Sequence, residues 1–380
     1  MAVQPWSDLE AVGLAAGLDV VAATTAEPFE DVRQVLEARK AAGVAGTMQF
    51  TYRNPARSTE PDRALPGART LIAGATSYHR DLPEPPLGQG PLAKVERYVW
   101  ADDQERLLAG LGAIADALID RGHRACVVSD QNHLVDRAVA QRAGLGWWGK
   151  NANLLLPGRG SWYLLGAVLT DAELRDAPVP EPVPDACGTC ERCLPACPTG
   201  AITSPGTVDA RRCLSWLLQA EGSFPREHRE ALGDRIYGCD DCQEVCPPNR
   251  VEVRRAGTQR GRAVPAGHRG RAWVPLLDLL AASDQELLDR HGRWYIARRD
   301  PRYLRRNALV VLGNVADGRD PRVRAALRNV LESTDDLLRA HAVWSARRLG
   351  CDDLVVNLLE PLGPEVCEEL AAPVSVRTDA

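Results

Sequence analysis

Long apolar runs are missing from this sequence of 380 residues. No uninterrupted stretch approaches the roughly 20 apolar residues that span a bilayer. The first thirty residues also lack a basic segment followed by an apolar core and a small-residue cleavage site. These absences argue against a membrane-spanning helix and against an export signal. We therefore expect a cytoplasmic protein that has no membrane partner.

Lysine is scarce, with three residues in the whole chain, so arginine carries most of the positive charge. Residues 250–350 hold 21 arginines, no lysine and 11 acidic residues, a net charge of +10. The remainder holds 25 basic and 40 acidic residues, a net charge of −15. This asymmetry indicates a polyanionic partner, with nucleic acid as the first candidate. The alternative is a solvated, arginine-rich helical surface.

Nucleotide-binding fingerprints are absent as well. The two glycine-rich stretches, Gly144–Lys150 and Pro157–Gly160, match neither a dinucleotide-binding turn that opens a helix nor a P-loop. In other respects the composition is that of a globular protein, with 45% hydrophobic and 26% charged residues. The length suffices for two or three domains, and a disordered or fibrous protein is excluded.

The first part of the chain mixes helical and strand patterns, which predicts an α+β domain. Helical spacing covers Leu9–Ala23, Phe29–Ala42 and Asp103–Arg121, and strand patterns cover Arg69–Ala75 and Ala125–Ser129. Residues Asn153–Thr170 are typical of a hairpin whose turn is Pro157–Gly160. A proline-rich linker, Asp176–Asp185, follows this domain.

Two segments in the last third of the chain resemble each other at a spacing of 34 residues. They begin with Leu-Arg at Leu304 and Leu338, carry an alanine four positions later, and then reach a Leu-Gly pair. This pattern predicts helices that pack through alanine and stop at glycine, as in a short helical-repeat stack. Two unrelated amphipathic helices are the alternative. A loop rich in Arg, Gly and Ala is predicted before them, from Arg250 to Arg271.

Eight of the eleven cysteines lie within sixty residues, in a pattern typical of bacterial ferredoxins. The first run is Cys187-x2-Cys190-x2-Cys193-x3-Cys197-Pro198. The second run, Cys239-x2-Cys242-x3-Cys246-Pro247, lacks one cysteine that Cys213 can supply from an amphipathic helix. Eight thiolates suit two 4Fe-4S clusters. The ferredoxin crossover rule assigns Cys187, Cys190, Cys193 and Cys246 to one cluster, and Cys197, Cys213, Cys239 and Cys242 to the other.

Two structural zinc sites with four cysteines each are the competing interpretation. Zinc sites favour paired Cys-x2-Cys knuckles separated by a spacer, whereas this sequence has three cysteines in tandem and two Cys-Pro ends. The spacing therefore favours iron–sulfur clusters. Two adjacent clusters whose iron positions are all filled conduct electrons and form no bonds. An electron acceptor is expected in the amino-terminal domain.

Several further motifs belong to one known family. The most specific are the string Gly144-Leu145-Gly146-Trp147-Trp148-Gly149-Lys150-Asn151 and the cysteine spacing. Other matching segments are Arg53–Arg57, Leu65–Arg69, Gly160–Thr170, Gly238–Gln243 and Leu304–Asn314. Together they cover nearly the whole chain, which resembles the epoxyqueuosine reductases, cobalamin-dependent iron–sulfur enzymes of transfer RNA modification.

The resemblance implies a reductase that converts epoxyqueuosine to queuosine at the wobble position of tRNA, the last step of queuosine biosynthesis. It implies a cobalamin-binding α/β domain at residues 1–172 and a double 4Fe-4S ferredoxin-like domain at residues 173–265. A HEAT-like helical repeat domain at residues 266–380 would hold the anticodon stem-loop. An external one-electron donor such as flavodoxin or ferredoxin would reduce the clusters, and we expect a monomer.

The family's proton-donating aspartate falls on Asp130, after the predicted strand Ala125–Ser129. A carboxyl group beside a hydrophobic corrin ring has a raised pKa and can deliver a proton near neutral pH. From the residues alone, a cap for a helix that begins at about Leu134 is the alternative. The same resemblance implies cobalamin contacts at Arg57, Gly149, Lys150 and Asn151.

Two departures from the family pattern lie near the predicted substrate pocket. Gln131-Asn132-His133 replaces a small, proline-containing turn after the aspartate, and Asp103-Gln104-Glu105 replaces an Asp-Tyr-His. No histidine lies in the Asp-x-His-x-x-Gly motif that ligates cobalt in many cobalamin enzymes, which fits a base-off corrinoid. Two alternative functions stay open: a corrinoid reductase of another epoxide or of a halogenated substrate, and a non-catalytic iron–sulfur electron carrier or tRNA-binding protein.

Overall fold

The structure, a computed structural model, describes residues 4–250, 272–356, 358 and 361–377. The elements up to residue 175 are β1 (Gln4–Pro5), α1 (Trp6–Ala15), β2 (Val20–Thr25), α2 (Glu30–Ala41), α3 (Phe50–Arg53), α4 (Pro55–Thr59), α5 (Pro61–Ala64), β3 (Thr70–Ser77), β4 (Leu92–Val95), α6 (Asp103–Asp120), β5 (Ala125–Val128), α7 (Asp136–Arg142), β6 (Trp147–Trp148), β7 (Leu154–Leu155), β8 (Tyr163–Thr170) and β9 (Leu174–Arg175). The elements after residue 175 are α8 (Cys193–Ala196), β10 (Ile202–Ser204), β11 (Thr207–Val208), α9 (Leu214–Leu217), α10 (Arg229–Leu232), β12 (Arg235–Tyr237), α11 (Asp241–Glu244), β13 (Trp273–Pro275), α12 (Leu276–Ala281), α13 (Asp284–His291), α14 (Arg302–Val315), α15 (Pro321–Leu331), α16 (Asp336–Arg348) and α17 (Pro364–Ala371). Short 3-10 helices cover Arg97–Val99, Arg226–His228, Ala297–Arg299 and Asp352–Leu354.

The chain divides into two compact units that do not follow the order of the sequence. Among the described residues, unit 1 takes in 4–81, 101–211 and 240–250, and unit 2 takes in 82–100, 212–239 and those from 272 onward. The division into consecutive domains at residues 172 and 265 stays a prediction, and the second boundary and the predicted loop after Arg250 lie outside the described residues. Over the described ranges, no helix combines the length and apolar character needed to cross a membrane.

Unit 1 is built on a four-stranded antiparallel sheet in the order β2-β3-β8-β5. Alternate side chains of a strand point to opposite faces of the sheet. Helices pack on both faces, so both are buried. Ile72 packs with α1 and α6 on one face, whereas Leu71 packs with α7 on the other. Gly74 and Gly166 pair across β3 and β8, and a Cβ atom on either would lie within 2.8 Å of Leu111 of α6. These glycines allow α6 to approach the sheet closely.

Most of the predicted elements of unit 1 are confirmed, including α2, α6, β3 and β5. The helix predicted over Leu9–Ala23 is wrong beyond Ala15. The chain turns at Gly17, which adopts a φ of +109°, and Val20–Thr25 then pairs with β3 as a strand. Helical spacing continues through this turn, so the pattern alone did not reveal the end of the helix.

The hairpin predicted over Asn153–Thr170 is wrong in its pairing. Leu154–Leu155 pairs with Trp147–Trp148, and a single bridge joins Leu156 to Gly160 around the turn. Tyr163–Thr170 is instead a central strand between β3 and β5. Turn signals report local pairing, whereas the partners of this strand come from distant parts of the sequence.

Unit 2 combines a three-stranded sheet, in the order β12-β4-β13, with helices that share its hydrophobic core. The predicted repeat corresponds to α14 and α16, which pack against each other. Gly350 follows the end of α16 with a φ of +69°, so the predicted glycine stop is confirmed there. At Gly313 the prediction is wrong, because α14 continues to Val315. A Cβ atom on Gly313 would lie 2.7 Å from the Trp344 ring, so this glycine allows close helix packing.

Candidate functional site

One end of the unit 1 sheet gathers Asp130 and several motif residues. Asp130 follows the end of β5, and β3 ends beside the beginning of β8, with Ser77 opposite Tyr163. Antiparallel pairing therefore brings the segments 77–80, 129–130 and 160–163 to the same edge of the sheet. An open groove of about 560 Å³ lies at the opposite end, near Thr70, and is lined by none of the predicted site residues.

Asp130 occupies a strained turn at this edge. Helix α7 begins at Asp136 without a side-chain cap, so the interpretation of Asp130 as its cap is wrong. Asp130 adopts a φ of +51° and is exposed to solvent. Even so, burial of the carboxyl group by surrounding protein raises its pKa above the ordinary value of 3.8.

Arg137, at the start of α7, has the same combination of properties. Its side chain is exposed, yet desolvation lowers its pKa, and Tyr52, Arg39 and Tyr78 lie within electrostatic reach. Its Nη1 atom donates a hydrogen bond to the carbonyl oxygen of Ala152 at 2.6 Å. Residues of α2 and α3 and the residue after β3 therefore lie close enough to Arg137 to affect its pKa. Arg137 was not predicted, because a single arginine on a helix carries no motif.

The departure at Asp103-Gln104-Glu105 fastens the end of the strand that precedes Asp130. Gln104 donates from Nε2 to the hydroxyl of Ser129 at 3.0 Å, and that hydroxyl donates to the carbonyl oxygen of Leu165 at 2.9 Å. The neighbouring Asp103 is buried in an ion pair with Arg80, in which Nη2 donates to Oδ1 at 2.9 Å. This chain thus uses Gln104 to hold the end of β5.

The departure at Gln131-Asn132-His133 contacts Arg57, a residue predicted to bind cobalamin. The Nη2 atom of Arg57 lies 2.7 Å from Nε2 of His133, and Nδ1 of His133 lies 3.0 Å from Oε1 of Gln131. A guanidinium only donates, so Nε2 accepts and this bonding pattern assigns the proton to Nδ1. The hydroxyl of Ser58 donates to the carbonyl oxygen of Asn132 at 2.8 Å.

The turn formed by Gly149, Lys150 and Asn151 lies against the cysteine-rich segments of unit 1. Lys150 donates from Nζ to the carbonyl oxygen of Gly188 at 2.9 Å, and Asn151 donates from Nδ2 to that of Cys242 at 3.3 Å. A Cβ atom on Gly149 would lie 2.6 Å from Leu155, so the turn has no room for a side chain there. Cobalamin contacts by these three residues stay a prediction.

The first predicted ligand set, Cys187, Cys190, Cys193 and Cys246, is assembled within unit 1. Burial, followed by the nearby thiols of Cys187 and Cys193, raises the pKa of Cys246 to about 12. Burial and the thiols of Cys187 and Cys190 also raise the pKa of Cys193, against the lowering effect of Lys150. Thiolates crowded in this way require compensating positive charge, which the iron of a cluster supplies. Within the described ranges, no three His, Cys, Asp or Glu side chains meet closely enough for a single metal ion.

The four cysteines of the second predicted set are divided between the two units. Cys197 and Cys242 belong to unit 1, where the thiol of Cys197 accepts the Ala201 N–H at 3.1 Å. Cys213 and Cys239 belong to unit 2. Cys213 precedes a helix of only four residues, Leu214–Leu217, so the amphipathic helix predicted around it is wrong. Their grouping around one cluster stays a prediction.

A buried hydrogen-bond network joins the Gly160–Ser161 motif to the last cysteine segment. The Ser161 N–H donates to Oδ1 of Asn249 at 2.6 Å, and its hydroxyl donates to Oε1 of Gln243 at 2.9 Å. Asn249 donates from Nδ2 to the carbonyl oxygen of Gln243 at 2.8 Å. A Cβ atom on Gly160 would lie 2.0 Å from Asn249. The network explains why glycine and serine occur together here, and no motif indicates Asn249.

Much of the positive charge in the arginine-rich region is neutralised within unit 2. Six of its 21 arginines lie outside the described residues. Arg306 is fully buried, and its guanidinium donates to the carbonyl oxygens of Ala220, Gly222 and Leu217. Others form ion pairs: Arg298–Glu221, Arg302–Asp300, Arg305–Asp284, Arg319–Asp317, Arg322–Asp320, Arg324–Asp353 and Arg348–Glu230. The net charge of residues 250–350 therefore overstates how many of their arginines are available to bind a partner.

Comparison with known proteins gives consistent results. Residues 186–249 match the family model described as a 4Fe-4S double cluster binding domain, which favours clusters over zinc. An epoxyqueuosine reductase of Bacillus cereus is 30% identical over 377 residues, covering 96% of this chain and 94% of the relative.

The fold is also similar to solved structures of epoxyqueuosine reductases. A crystal structure of epoxyqueuosine reductase with an epoxyqueuosine-modified tRNA-Tyr stem loop has a TM-score of 0.82 and 27% identity, over 96% of each chain. An epoxyqueuosine reductase from Bacillus subtilis, with its catalytic loop swung out of the active site, has a TM-score of 0.79 and 26% identity, again over 96% of each chain. From its double-cluster domain, its fold and its full-length relatives, this chain belongs to the epoxyqueuosine reductase family.

Proposed function

We propose that this protein reduces epoxyqueuosine to queuosine at the wobble position of tRNA. The single observation that carries the proposal is the match over almost the full length to epoxyqueuosine reductases, one of them solved with a modified tRNA stem loop. The reaction removes the epoxide oxygen. Two electrons and two protons convert the epoxide to the cyclopentene double bond and one molecule of water.

Two 4Fe-4S clusters would carry the electrons. Cys187, Cys190, Cys193 and Cys246 would hold the first cluster, and their crowded thiols support this assignment. Cys197, Cys213, Cys239 and Cys242 would hold the second. Each cluster passes one electron at a time, so an external one-electron donor such as flavodoxin or ferredoxin would supply them in sequence.

Cobalamin is the proposed electron acceptor, held in unit 1. The residues fit such a group, because Asp130 and Arg137 are polar side chains that solvent reaches, and the protein around them shifts the pKa of each toward its neutral form. Arg57 and Arg137 would bind polar groups of the cofactor, and the turn formed by Gly149, Lys150 and Asn151 would contribute further contacts. When bound, cobalamin supplies the strongly reducing centre that epoxide opening requires.

Asp130 would act as the proton donor. Its carboxyl group has a raised pKa, because the protein around it disfavours the charged form. A protonated Asp130 donates its proton to the oxygen that is released when the epoxide C–O bond breaks. The oxygen leaves as water after it receives the second proton.

The helices of unit 2 would contribute to tRNA binding. Exposed Arg–Asp pairs between residues two positions apart contribute little to stability, so their arginines can exchange a carboxylate for a phosphate. Such contacts make binding depend on salt, and the modified base would be presented from a single-stranded loop. A tRNA substrate also favours the predicted cytoplasmic location, and we expect a monomer.

Anaerobic turnover tests this proposal. Purified protein, reconstituted with iron, sulfide and cobalamin, is mixed with a chemical reductant and a stem-loop RNA that carries epoxyqueuosine. We expect conversion to queuosine, about eight iron atoms per chain for two clusters, and binding that weakens steeply with salt. A protein that binds the RNA but leaves the epoxide intact in the presence of reduced cofactors would contradict it.

A further inference from the structure

The loop between β5 and α7 carries Asp130 in an unusual backbone conformation. Its φ of +51° lies in the left-handed region, which residues other than glycine seldom adopt. Within the described residues, the side chain of Asp130 forms no hydrogen bond to protein. The position of this carboxyl group is therefore set by the backbone of the loop.

The flanks of the loop are fixed by other contacts. Ser129 is bonded to Gln104 and to the Leu165 carbonyl group, and the Asn132 carbonyl group accepts the Ser58 hydroxyl. These bonds hold the residues before and after Asp130. They leave the conformation of Asp130 itself undetermined.

The contact that holds Asp130 directly comes from Asp136. Oδ2 of Asp136 accepts the Asp130 N–H at 3.0 Å. Oδ1 of Asp136 is buried and has no hydrogen-bond partner in the described part of the chain. Helix α7 has no side-chain cap. The bond from the Asp130 amide to Asp136 is therefore not a helix-capping bond. The carboxyl group is thus committed to the Asp130 amide and to no other protein group.

We propose that Asp136 is the positioning residue of the Asp130 loop, and that its side-chain oxygen Oδ2 keeps the Asp130 carboxyl group at this end of the sheet by holding the Asp130 amide. This inference rests on the proposed function. The Bacillus subtilis relative, whose catalytic loop is swung out of the active site, shows that such a loop can leave its position in that protein. In this chain Asp136 would favour the inward position.

The Asp130 amide needs only a hydrogen-bond acceptor at position 136, and that acceptor need not carry a negative charge. Burial, opposed by the bond from the Asp130 amide, raises the pKa of Asp136 to about 8, and the carboxyl group of Asp130 adds to the rise while Arg137 opposes it. Asp136 is therefore mainly protonated at pH 7. An asparagine offers the same carbonyl oxygen in the same place, whereas a leucine of similar size offers none.

The test compares Asp136→Asn with Asp136→Leu in the reconstituted protein, with Asp116→Leu as the matched control on the exposed side of α6. The first readout is hydrogen–deuterium exchange of residues 129–135, measured by mass spectrometry without substrate. The second is the separate effect on kcat and KM for the modified stem-loop RNA. A protein without turnover in the wild type would remove the proposed function, whereas the exchange comparison would still decide whether Asp136 holds the loop.

We expect Asp136→Leu to speed exchange of the loop about five- to tenfold. It should lower kcat about 10- to 100-fold with little change in KM, because the proton donor is displaced. Asp136→Asn and Asp116→Leu should match the wild type in both readouts. If Asp136→Leu fails to bind iron or to fold, Asp136→Ala replaces it. Loss of turnover in Asp136→Asn, or unchanged exchange in both Asp136→Leu and Asp136→Ala, would overturn the proposal.

Discussion

The ammonium group of Lys150 lies on the first cysteine loop, where its Nζ atom donates to the carbonyl oxygen of Gly188 at 2.9 Å. It also lies 3.6 Å from the carboxylate of Glu191, and its charge lowers the pKa of Cys193. The lysine side chain is largely buried, so solvent screens its charge incompletely. Lys150 therefore places a positive charge beside the proposed ligands of the first cluster.

Replacing Lys150 should make the first cluster harder to reduce. Reduction adds a negative charge, which a nearby ammonium group stabilises. We expect Lys150→Met to lower the midpoint potential of one cluster by roughly 30–100 mV and to leave the other nearly unchanged. An EPR-monitored redox titration measures both. Lys40→Met, at a lysine whose ammonium group bonds to the Arg53 carbonyl group, is the control. Equal potentials in the wild type and Lys150→Met would contradict this role.

Removing the carboxyl group of Asp130 should abolish turnover without loss of cofactors. We expect Asp130→Ala to lower kcat at least about 100-fold, because general acid catalysis contributes that much. Its iron content, cobalamin binding and RNA binding should match the wild type. In the wild type, kcat should fall as pH rises through the raised pKa of Asp130, because the acid form is the active one. Undiminished turnover in Asp130→Ala would remove Asp130 from this role.

Asp136 should reduce the stability of the folded protein as pH rises. The unfolded chain ionises Asp136 near its ordinary pKa of 3.8, whereas the folded protein keeps it protonated up to about pH 8. The free energy of unfolding is therefore highest, as far as Asp136 is concerned, below about pH 4. It falls progressively as the pH rises from about 4 to about 8. Asn cannot ionise, so Asp136→Asn should match the wild type at pH 4 and exceed it by roughly 3–4 kcal/mol at pH 7. Urea unfolding at the two pH values measures this difference, and a gap that does not change with pH would contradict it.

Arg306 should contribute to folding and not to RNA affinity. Burial lowers its pKa to about 9, so it remains charged at pH 7, and it bonds to carbonyl groups on residues 217–222. Arg306→Met leaves these buried acceptors without donors, and we expect a loss of about 3–5 kcal/mol in the free energy of unfolding. Arg328→Met, at an exposed arginine of α15, should change stability by less than about 0.5 kcal/mol. Equal stability of the two variants in urea would show that the Arg306 bonds are unimportant.

Local patterns in the sequence located the elements that depend on neighbouring residues. The periodicity of Asp103–Arg121 predicted α6, and the cysteine spacing predicted the double-cluster domain that residues 186–249 match. Long-range pairing was less accessible. Tyr163–Thr170 was assigned to a hairpin, since no local signal reveals that its partners are residues 70–77 and 125–128.

The candidate site shows the same division. Asp130 was predicted as the proton donor from the resemblance to the family, and its place at the end of the sheet beside residues 77–80 and 160–163 follows from strand order. Asp136 and Asn249 were missed, because a single polar residue becomes informative only when the fold brings it to a partner. Gly313 was misread for a related reason, since its meaning depends on Trp344, which is 31 positions away in the sequence.

The most direct test of the account is mass spectrometry of tRNA nucleosides from a strain with and without the gene for this protein. Deletion should deplete queuosine and accumulate epoxyqueuosine, and the wild-type gene, but not the Asp130→Ala variant, should restore queuosine. Unchanged queuosine after deletion, without accumulated epoxyqueuosine, would contradict the assignment of this chain to the reduction of epoxyqueuosine in tRNA.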